Sequence, residues 1–567
     1  MSLGDVSLAC ASVVVDELAR RGMRHACLSP GSRSTPVALA LDRHPDITLH
    51  IHLDERSSAF FALGLSKATG SPVAVACTSG TAAAELLPAV VEAFQSRVQL
   101  ILLTADRPPR LRGTGANQTI DQVQLYGRYA AYAELPLPEE PVPDGRLRAA
   151  VSDAIRAAAF PRIPVHLNMP FDEPLTPAGD EVVVAVDETP VPNAPADPSP
   201  FHHPQEEAET LAREASGRRG VVVLGGLMGG PAREETLDLA ADLRWPVIAE
   251  PISGARLPGL ALAAGQTLLA SPSWLAAQTP EIVLHVGASP TTRATQRLTS
   301  EADRLIVIDA RFPEPDPEGR ATLRIREHPA SVVTELALRA GPAPAGWLED
   351  WQRADGVARR ALDSALDALG EPTELRVARD LAAWMPPGGT LFVGNSMPIR
   401  DLDYAMAPRE GLRVLANRGA SGIDGLVSTA LGIAAAGTGP TVALLGDLSL
   451  LYDVGALFWN GRGGTDLTIV VANNEGGTIF SFLPQRELPE FERLFTTPHE
   501  LDLGAICTAA GAGHERVAQM SHFFDALKRA TTAGGLRVVE VMVDPERNRA
   551  QHAEVQTAVD AVLRDLT

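Results

Sequence analysis

Along this chain, short apolar runs rich in β-branched residues alternate with Ala/Leu-rich stretches of helical character. The runs are ITLHIHL, SPVAVAC, VQLILLTA, GVVVLGG, EIVLHVG, DRLIVIDA, GTLFVG, TVALLG and LTIVVAN. Apolar strands alternating with helices imply parallel sheets covered on both faces. ITLHIHLDER sets Ile47, Leu49, Ile51 and Leu53 against Thr48, His50 and His52, which predicts a strand with Glu55 just beyond its end. Two proline-rich stretches interrupt the pattern: DETPVPNAPADPSPFHHPQEE, from Asp187 to Glu207, and the shorter RAGPAPAGW at 339–347. They read as linkers. The expectation is an α/β protein of three doubly wound parallel-sheet domains at 1–186, 206–340 and 348–567, each of ordinary domain size. In such sheets ligands bind beyond the carboxyl ends of the strands, so chemistry is sought in the residues that follow the apolar runs.

Bulk properties narrow the ligand class. A chain of 567 residues exceeds what one core supports, in keeping with several domains. A formal charge of −21 argues against nucleic acid or an anionic membrane as partner, since either needs a basic surface, and leaves small molecules. The four cysteines, Cys10, Cys27, Cys77 and Cys507, are too scattered for a disulfide framework or a thiol metal cluster, which points to a reducing compartment. MSLGDVSLACASVVVDELARRG carries Asp5, Asp16 and Glu17 and no basic lead segment, so it reads as an amphipathic helix of a cytoplasmic protein rather than an export signal. The uncharged stretch 425–446 is broken by GTGP at 437–440 into a helix and a strand, so no membrane span is expected.

The stretch TVALLGDLSLLYDVGALFWNGRGGTDLTIVVANNEGGTIF at 441–480 places an acid after one apolar run and a pair of amides after the next. Asp447 and Asn474 are 27 residues apart, with room for a helix, LYDVGALFWNG, between them. In a βαβ unit two such strand ends can be neighbours. A carboxylate and an amide oxygen are the hard ligands that suit Mg²⁺, and Gly476 could add its carbonyl because glycine lets the backbone turn inward. The alternative is that Asp447 caps a helix and NNEGG is a turn.

The GD…N spacing resembles the metal and diphosphate signature of thiamine diphosphate enzymes, although Leu448 stands where most of those families have a second glycine. GDLS, the following Y-D pair and NN-x-GG-x-IF resemble one branch, the 2-succinyl-5-enolpyruvyl-6-hydroxy-3-cyclohexene-1-carboxylate (SEPHCHC) synthases of menaquinone biosynthesis. Four more segments match that branch: SPGSRSTPVALAL from Ser29, TADRPPRLRGTGANQTIDQ from Thr104, VGNSMPIRD from Val393 and SGIDGLVSTALG from Ser421. FSFLPQ and LFTTPHELD are also similar to it. The matches span the first and third units, and the middle unit matches only weakly.

The resemblance implies thiamine diphosphate held with Mg²⁺, or Mn²⁺ in its place, on Asp447, Asn474 and Gly476. Gly446, Leu448, Ser449, Gly477, Ile479 and Phe480 would complete the cofactor site. Glu55 would be the catalytic carboxylate on the pyrimidine N1′, favouring the imino tautomer that takes the thiazolium C2 proton. Read alone, Asp54 or Glu55 would only cap the next helix. Ile423 would prop the cofactor in its bent form. His50 and His52 share a face of their strand and read as packing groups.

In so acidic a chain, dianionic substrates need local cations. Arg33 follows a strand within SPGSRSTP, Arg107 follows VQLILLTAD, and Arg400 and Arg418 follow GNSMPI and LAN; guanidinium grips a carboxylate with two parallel hydrogen bonds. Surface ion pairs are the alternative for any one of them. By resemblance, Ser32, Arg33, Arg107 and Gln118 would address isochorismate, with Asn117, Asn395 and Ser396 at the junction. Arg400 and Arg418 would lean toward 2-oxoglutarate, and Arg293 would be a further contact. The implied reaction is decarboxylation of 2-oxoglutarate and addition of the four-carbon remainder to isochorismate, in a homodimer or homotetramer with sites between chains. A rival is an acetohydroxyacid synthase-like or benzoylformate decarboxylase-like enzyme, for which GGLMGG at 225–230 could be a phosphate loop, although it lacks the GxGxxG spacing. A second is a non-catalytic nucleotide-binding protein on the same scaffold.

Overall fold

The computed structural model describes residues 2–140, 144–159, 162–178, 205–226, 231–309, 316–325, 336, 339–368, 370–460 and 464–566. Most of the expected linker, 187–204, and the glycine cluster at 227–230 lie outside the described residues. Three sheets follow one another along the chain, and every strand pair in them is parallel. The first contains β1 (His25–Leu28), β2 (Thr48–Ile51), β3 (Val73–Cys77), β4 (Leu100–Asp106), β5 (Ala131–Glu134) and β6 (Val165–Pro170), in the order β2-β1-β3-β4-β6-β5. The second contains β7 (Gly220–Leu224), β8 (Val247–Ala249), β9 (Ile282–Val286), β10 (Leu305–Ile308) and β11 (Leu323–Ile325), in the order β11-β10-β9-β7-β8. The third contains β12 (Gly389–Val393), β13 (Leu412–Ala416), β14 (Thr441–Gly446), β15 (Leu467–Asn473), β16 (Gly513–Val517) and β17 (Leu536–Met542), in the order β13-β12-β14-β15-β17-β16.

The first and third orders are the same topology written twice. In each, the chain steps outward from the first strand to the second and then crosses back to the third. The strand order therefore reverses between β1 and β3, and again between β12 and β14. A crevice opens beyond the strand ends at such a point. β1 and β3 lead into Ser29–Arg33 and Thr78–Gly80; β12 and β14 lead into Asn395–Ser396 and Asp447. The motifs of the first and third units thus occupy corresponding places.

The first and third units are packed into one core. The helix after β2, Glu55–Thr69, lies against the helix after β13, Leu426–Ala435, and both contribute to a single buried apolar cluster. The backbones meet at two glycines: a Cβ on Gly64 would sit 2.1 Å from the Thr429 carbonyl oxygen, and one on Gly432 would sit 2.0 Å from that of Phe61. The buried Lys67 ammonium, 3.2 Å from Glu92, also donates to the Ala416 carbonyl and Asn417 Oδ1 at 2.8 Å each. Glu92 accepts from the Gly419 N–H at 3.0 Å and the Ala420 N–H at 2.6 Å. A buried ion pair of this kind is tolerated because every charge is hydrogen-bonded, and it fixes the loop that carries Arg418.

Candidate active site

β14 and β15 are adjacent, with Gly446 opposite Ala472, so the residues that leave them, Asp447 and Asn474, emerge side by side. Asp447 is the first residue of the helix Asp447–Tyr452, and a second helix, Gly455–Asn460, follows; the single expected helix is two. Asp447 Oδ1 accepts from the Leu448 N–H at 2.7 Å, and Oδ2 from the Gly476 N–H at 2.8 Å. His499 Nε2 lies 3.2 Å from the same Oδ2. Burial pushes the Asp447 carboxyl up, and these hydrogen bonds oppose the shift.

Asn474 donates one amide hydrogen to Thr478 Oγ1 at 2.7 Å and the other to Glu374 Oε1. Its Oδ1 is buried and has no hydrogen-bond partner. A buried carbonyl oxygen left bare beside a buried carboxylate fits a hard cation that wants oxygen ligands. The Gly476 carbonyl accepts from the Thr478 N–H at 3.0 Å and keeps a second lone pair. Gly476 cannot be replaced, because at φ 151° a Cβ would stand 2.4 Å from the Thr496 carbonyl oxygen. The same carbonyl accepts from the Gly477 N–H at 2.7 Å, and the ring of Phe480 meets that of Phe495 at 5.6 Å between centroids. Ile479 and Phe480 lie in the 3₁₀ turn Thr478–Phe482. Gly446, Leu448 and Ser449 line the start of the Asp447 helix, with Ser449 buried. Among the described residues no three His, Cys, Asp or Glu side chains gather as a metal group, so a cation here would rest on one carboxylate and on amide and backbone oxygens.

Glu55 opens the helix after β2, and Asp54 does the capping, accepting from the Ser57 N–H at 3.1 Å. Burial pushes the Glu55 carboxyl up, and Asp54 and Glu85 add to it. On either side of it, Asp54 and Arg56 face the third unit: Arg56 stands 3.8 Å from Asp453 and over the Tyr452 ring. His50 packs against His25 and Phe61, and His52 against Phe61. Burial lowers both imidazoles to about 4, which leaves them neutral near pH 7. Ile423 is half-buried against the core shared by the first and third units. Its loop is tied by Asn395, whose Nδ2 donates to the Gly422 and Asn417 carbonyls at 2.7 Å each.

The arginines form two clusters. Arg33 is buried and donates to the Phe171 carbonyl at 3.1 Å and to the exposed Glu173 at 3.0 Å, while its Nε has no partner. Arg107 bonds Ser79 Oγ and is close enough to Arg33 for the two charges to repel. Gln118 donates to the Ser79 carbonyl at 3.1 Å, so it joins the same cluster; Ser32 and Asn117 are exposed. In the other cluster Arg418 donates to Asn395 Oδ1 at 2.8 Å and also has a buried bare Nε. Arg400 donates to the Ser396 carbonyl, and its charge is disfavoured first by burial, then by Arg418 and by Arg293 of the middle unit. Gln118, Ser396, Ser421 and Glu475 hold left-handed backbone at φ 53°, 71°, 61° and 58°, strain of the sort that gathers at binding loops.

Residues 9–125 match the family described as thiamine pyrophosphate enzyme, N-terminal TPP binding domain, and residues 402–541 its C-terminal TPP binding domain. The chain is 43% identical over 581 residues to the SEPHCHC synthase of Thermobifida fusca (strain YX), covering 98% of this chain and 100% of that protein. It is 40% identical over 570 residues to that of Chloroflexus aurantiacus, covering 97% and 96%. The chain belongs to the SEPHCHC synthase family. The synthase of Halobacterium salinarum (strain ATCC 29341 / DSM 671 / R1) is similar to the same extent, 40% over 578 residues and 97% of each chain.

Several residues of this synthase site carried no sequence signal. His499 lies in LFTTPHELD, where a lone histidine has no spacing to distinguish it. Ser79 sits in a common helix-start sequence, CTSGT. Glu374 is 100 residues from Asn474 and is brought to it only by the packing of its helix against the third sheet.

Proposed function

We propose that this thiamine diphosphate-dependent synthase of menaquinone biosynthesis decarboxylates 2-oxoglutarate and adds the four-carbon remainder to isochorismate, giving SEPHCHC and carbon dioxide. The observation that carries this reading is the bare, buried Asn474 Oδ1 beside Asp447, set at the end of adjacent strands in a chain of the synthase family. Asp447, Asn474 and the Gly476 carbonyl would hold Mg²⁺ or Mn²⁺ on the diphosphate. Bound thiamine diphosphate supplies the electron sink for decarboxylation. Glu55, half-desolvated and disfavoured as an anion, suits a short hydrogen bond to a ring nitrogen and the movement of a proton there. Ile423 would set the cofactor's bend. Incubation with isochorismate, 2-oxoglutarate, thiamine diphosphate and Mg²⁺ tests the reading; the expected product has the mass of SEPHCHC, and acetolactate-type products from pyruvate alone would refute it.

A second copy completes the site in this reading. Beside Glu55 a cavity of about 1200 Å³ is lined by His50, His52 and Phe61 from the first unit and by Ser428 and Leu431 from the third. Ile51, Leu53 and Phe458, also in its lining, are 53, 68 and 51% exposed. Large apolar side chains gathered at one mouth favour burial against another chain. A homodimer or homotetramer in the cytoplasm is the assembly proposed. The four cysteines, all buried and none in a disulfide, suit that reducing compartment. No described helix is long and apolar enough to cross a membrane.

The two arginine clusters divide the substrates. Arg33 and Arg107, with Ser32, Asn117 and Gln118 nearby, would take the isochorismate carboxylates; Arg400 and Arg418, with Arg293, Asn395 and Ser396, would take 2-oxoglutarate. The Arg33 ion pair with exposed Glu173 is weak enough to yield to a substrate anion. Arg33→Ala or Arg107→Ala is expected to spare carbon dioxide release in the first turnover and to lower kcat/KM for isochorismate roughly ten- to a hundredfold, as for losing one charge-assisted hydrogen bond. Arg400→Ala is expected to slow carbon dioxide release itself. Rapid-quench measurement checks both, and equal loss of the first turnover in all three variants would show the division to be wrong.

A further inference from the structure

The bare oxygen of Asn474 faces the candidate cation site because its amide nitrogen is fully engaged on the other side. A carboxamide offers two N–H donors at one end and one acceptor oxygen at the other, and the two ends have nearly the same shape. Nothing in the strand-end geometry of β15 chooses between them. Here Nδ2 donates one hydrogen to Glu374 Oε1 and the other to Thr478 Oγ1. A flipped amide would set its carbonyl against the Glu374 carboxyl oxygen and turn two hydrogens toward the cation.

Glu374 is itself held from three sides. Its backbone N–H donates to Asn548 Oδ1 at 2.9 Å, and Asn548 Nδ2 donates back to Glu374 Oε2 at 2.7 Å. Asp401 lies near enough to Glu374 to disfavour its charge, and Asp401 Oδ1 lies 2.7 Å from His552 Nε2; His552 Nδ1 faces the Asn548 carbonyl at 2.9 Å. Glu374, Asp401 and Asn548 are all buried. The cluster links the starts of the helices Glu374–Trp384 and Pro545–Leu563 to the helix Met397–Ala405, and it reaches Asn474 through Glu374 Oε1. Two buried carboxyl groups side by side are an expensive way to pack three helices, for which apolar residues serve as well or better. They are a good way to hold one acceptor oxygen in a fixed place.

We propose that Glu374 and Thr478 are positioning residues that fix the carboxamide of Asn474 with its oxygen, not its nitrogen, toward the metal. The proposal rests on the reading of Asn474 as a cation ligand. Partners behind a metal ligand typically change metal affinity by about ten- to a hundredfold. Thr478 serves twice, since its N–H also holds the Gly476 carbonyl.

The test is titration of the full-length protein with Mn²⁺ in the presence of thiamine diphosphate, with free Mn²⁺ read by electron paramagnetic resonance. Glu374→Leu, which removes the acceptor, should weaken Mn²⁺ binding roughly ten- to a hundredfold. Glu374→Gln keeps a carbonyl oxygen for Asn474 and should stay within about threefold of the unaltered protein, because the acceptor and not the charge is what matters. Thr478→Val should weaken binding and Thr478→Ser restore it. In each weakened variant kcat should return at saturating Mn²⁺, a split that general damage to the fold would not give. Mn²⁺ affinity unchanged in both Glu374→Leu and Thr478→Val overturns the proposal, as does Glu374→Gln falling as far as Glu374→Leu. If Glu374→Leu does not fold, the Thr478 pair decides alone. Asn474→Ala separates the two layers: if it keeps its Mn²⁺ affinity the ligand reading fails, and if it alone loses it the positioning role fails.

Discussion

Replacing Asp447 by alanine is expected to abolish Mg²⁺-dependent binding of thiamine diphosphate. Of the three candidate ligands beyond the ends of β14 and β15, Asp447 carries the carboxylate, and the other two are uncharged oxygens. Its loss leaves the diphosphate charge screened only by whatever cation two neutral groups can retain. It also leaves the N–H groups of Leu448 and Gly476 without their acceptor, so the glycine turn loses the bond that sets it. A metal clamp on phosphoryl oxygen is worth several kcal/mol, so a fall in cofactor affinity of a hundredfold or more is expected. Asp447→Asn, which retains an acceptor oxygen for Gly476 but not the charge, should fall between the two. Calorimetric titration with thiamine diphosphate at fixed Mg²⁺ measures the series, and an alanine variant with unchanged affinity would remove Asp447 from the metal site.

How much of this was readable beforehand depends on what each residue's neighbours are made of. All nine apolar runs became strands: eight are buried along their length and so must be apolar throughout, and the edge strand β2 shows instead the alternation of apolar and polar residues. The strands that escaped notice include edges: Ala131–Glu134 and Gly513–Val517 mix small and charged residues, since one side of each faces no neighbour in the sheet. The short β1, HACL, has too few residues to show any pattern. The strand-end rule placed Asp447, Asn474, Glu55, Arg33 and Arg107 correctly relative to their strands, because it depends only on local order along the chain. Arg293 joined Arg400 and Arg418 from a unit with little resemblance to lean on, and the signal there was only a cation after an apolar run. Glu374 was beyond reach: it lies in EPTELRVARD, an ordinary helix start, and its meaning comes from Asn474, Asn548 and Asp401, which the chain reaches by three different elements. Contacts between elements far apart in sequence have no period and no spacing to announce them.

Glu55→Gln is expected to behave in the opposite way to Asp447→Ala: the cofactor should bind, and turnover should fall roughly a hundred- to ten-thousandfold, the usual range for a positioned proton-transfer group. Glutamine keeps the size and the hydrogen-bonding reach of the side chain but cannot hold the proton on the ring nitrogen in the same way. Burial, Asp54 and Glu85 all raise the Glu55 carboxyl, which disfavours its charged form. The two variants together test the proposed assembly. If Glu55 of one chain serves the Asp447 site of another, mixing the two inactive proteins and allowing subunit exchange gives heterodimers with one interface that has both groups intact and one that has neither. Statistical exchange makes about half of the dimers mixed, each with one working site of two, so about a quarter of the original activity should return, following the pairing imposed by a two-fold interface. If both groups act within one chain, every site carries one defect and mixing restores nothing. Recovery of carbon dioxide release after exchange, followed against each variant alone, decides between the two arrangements.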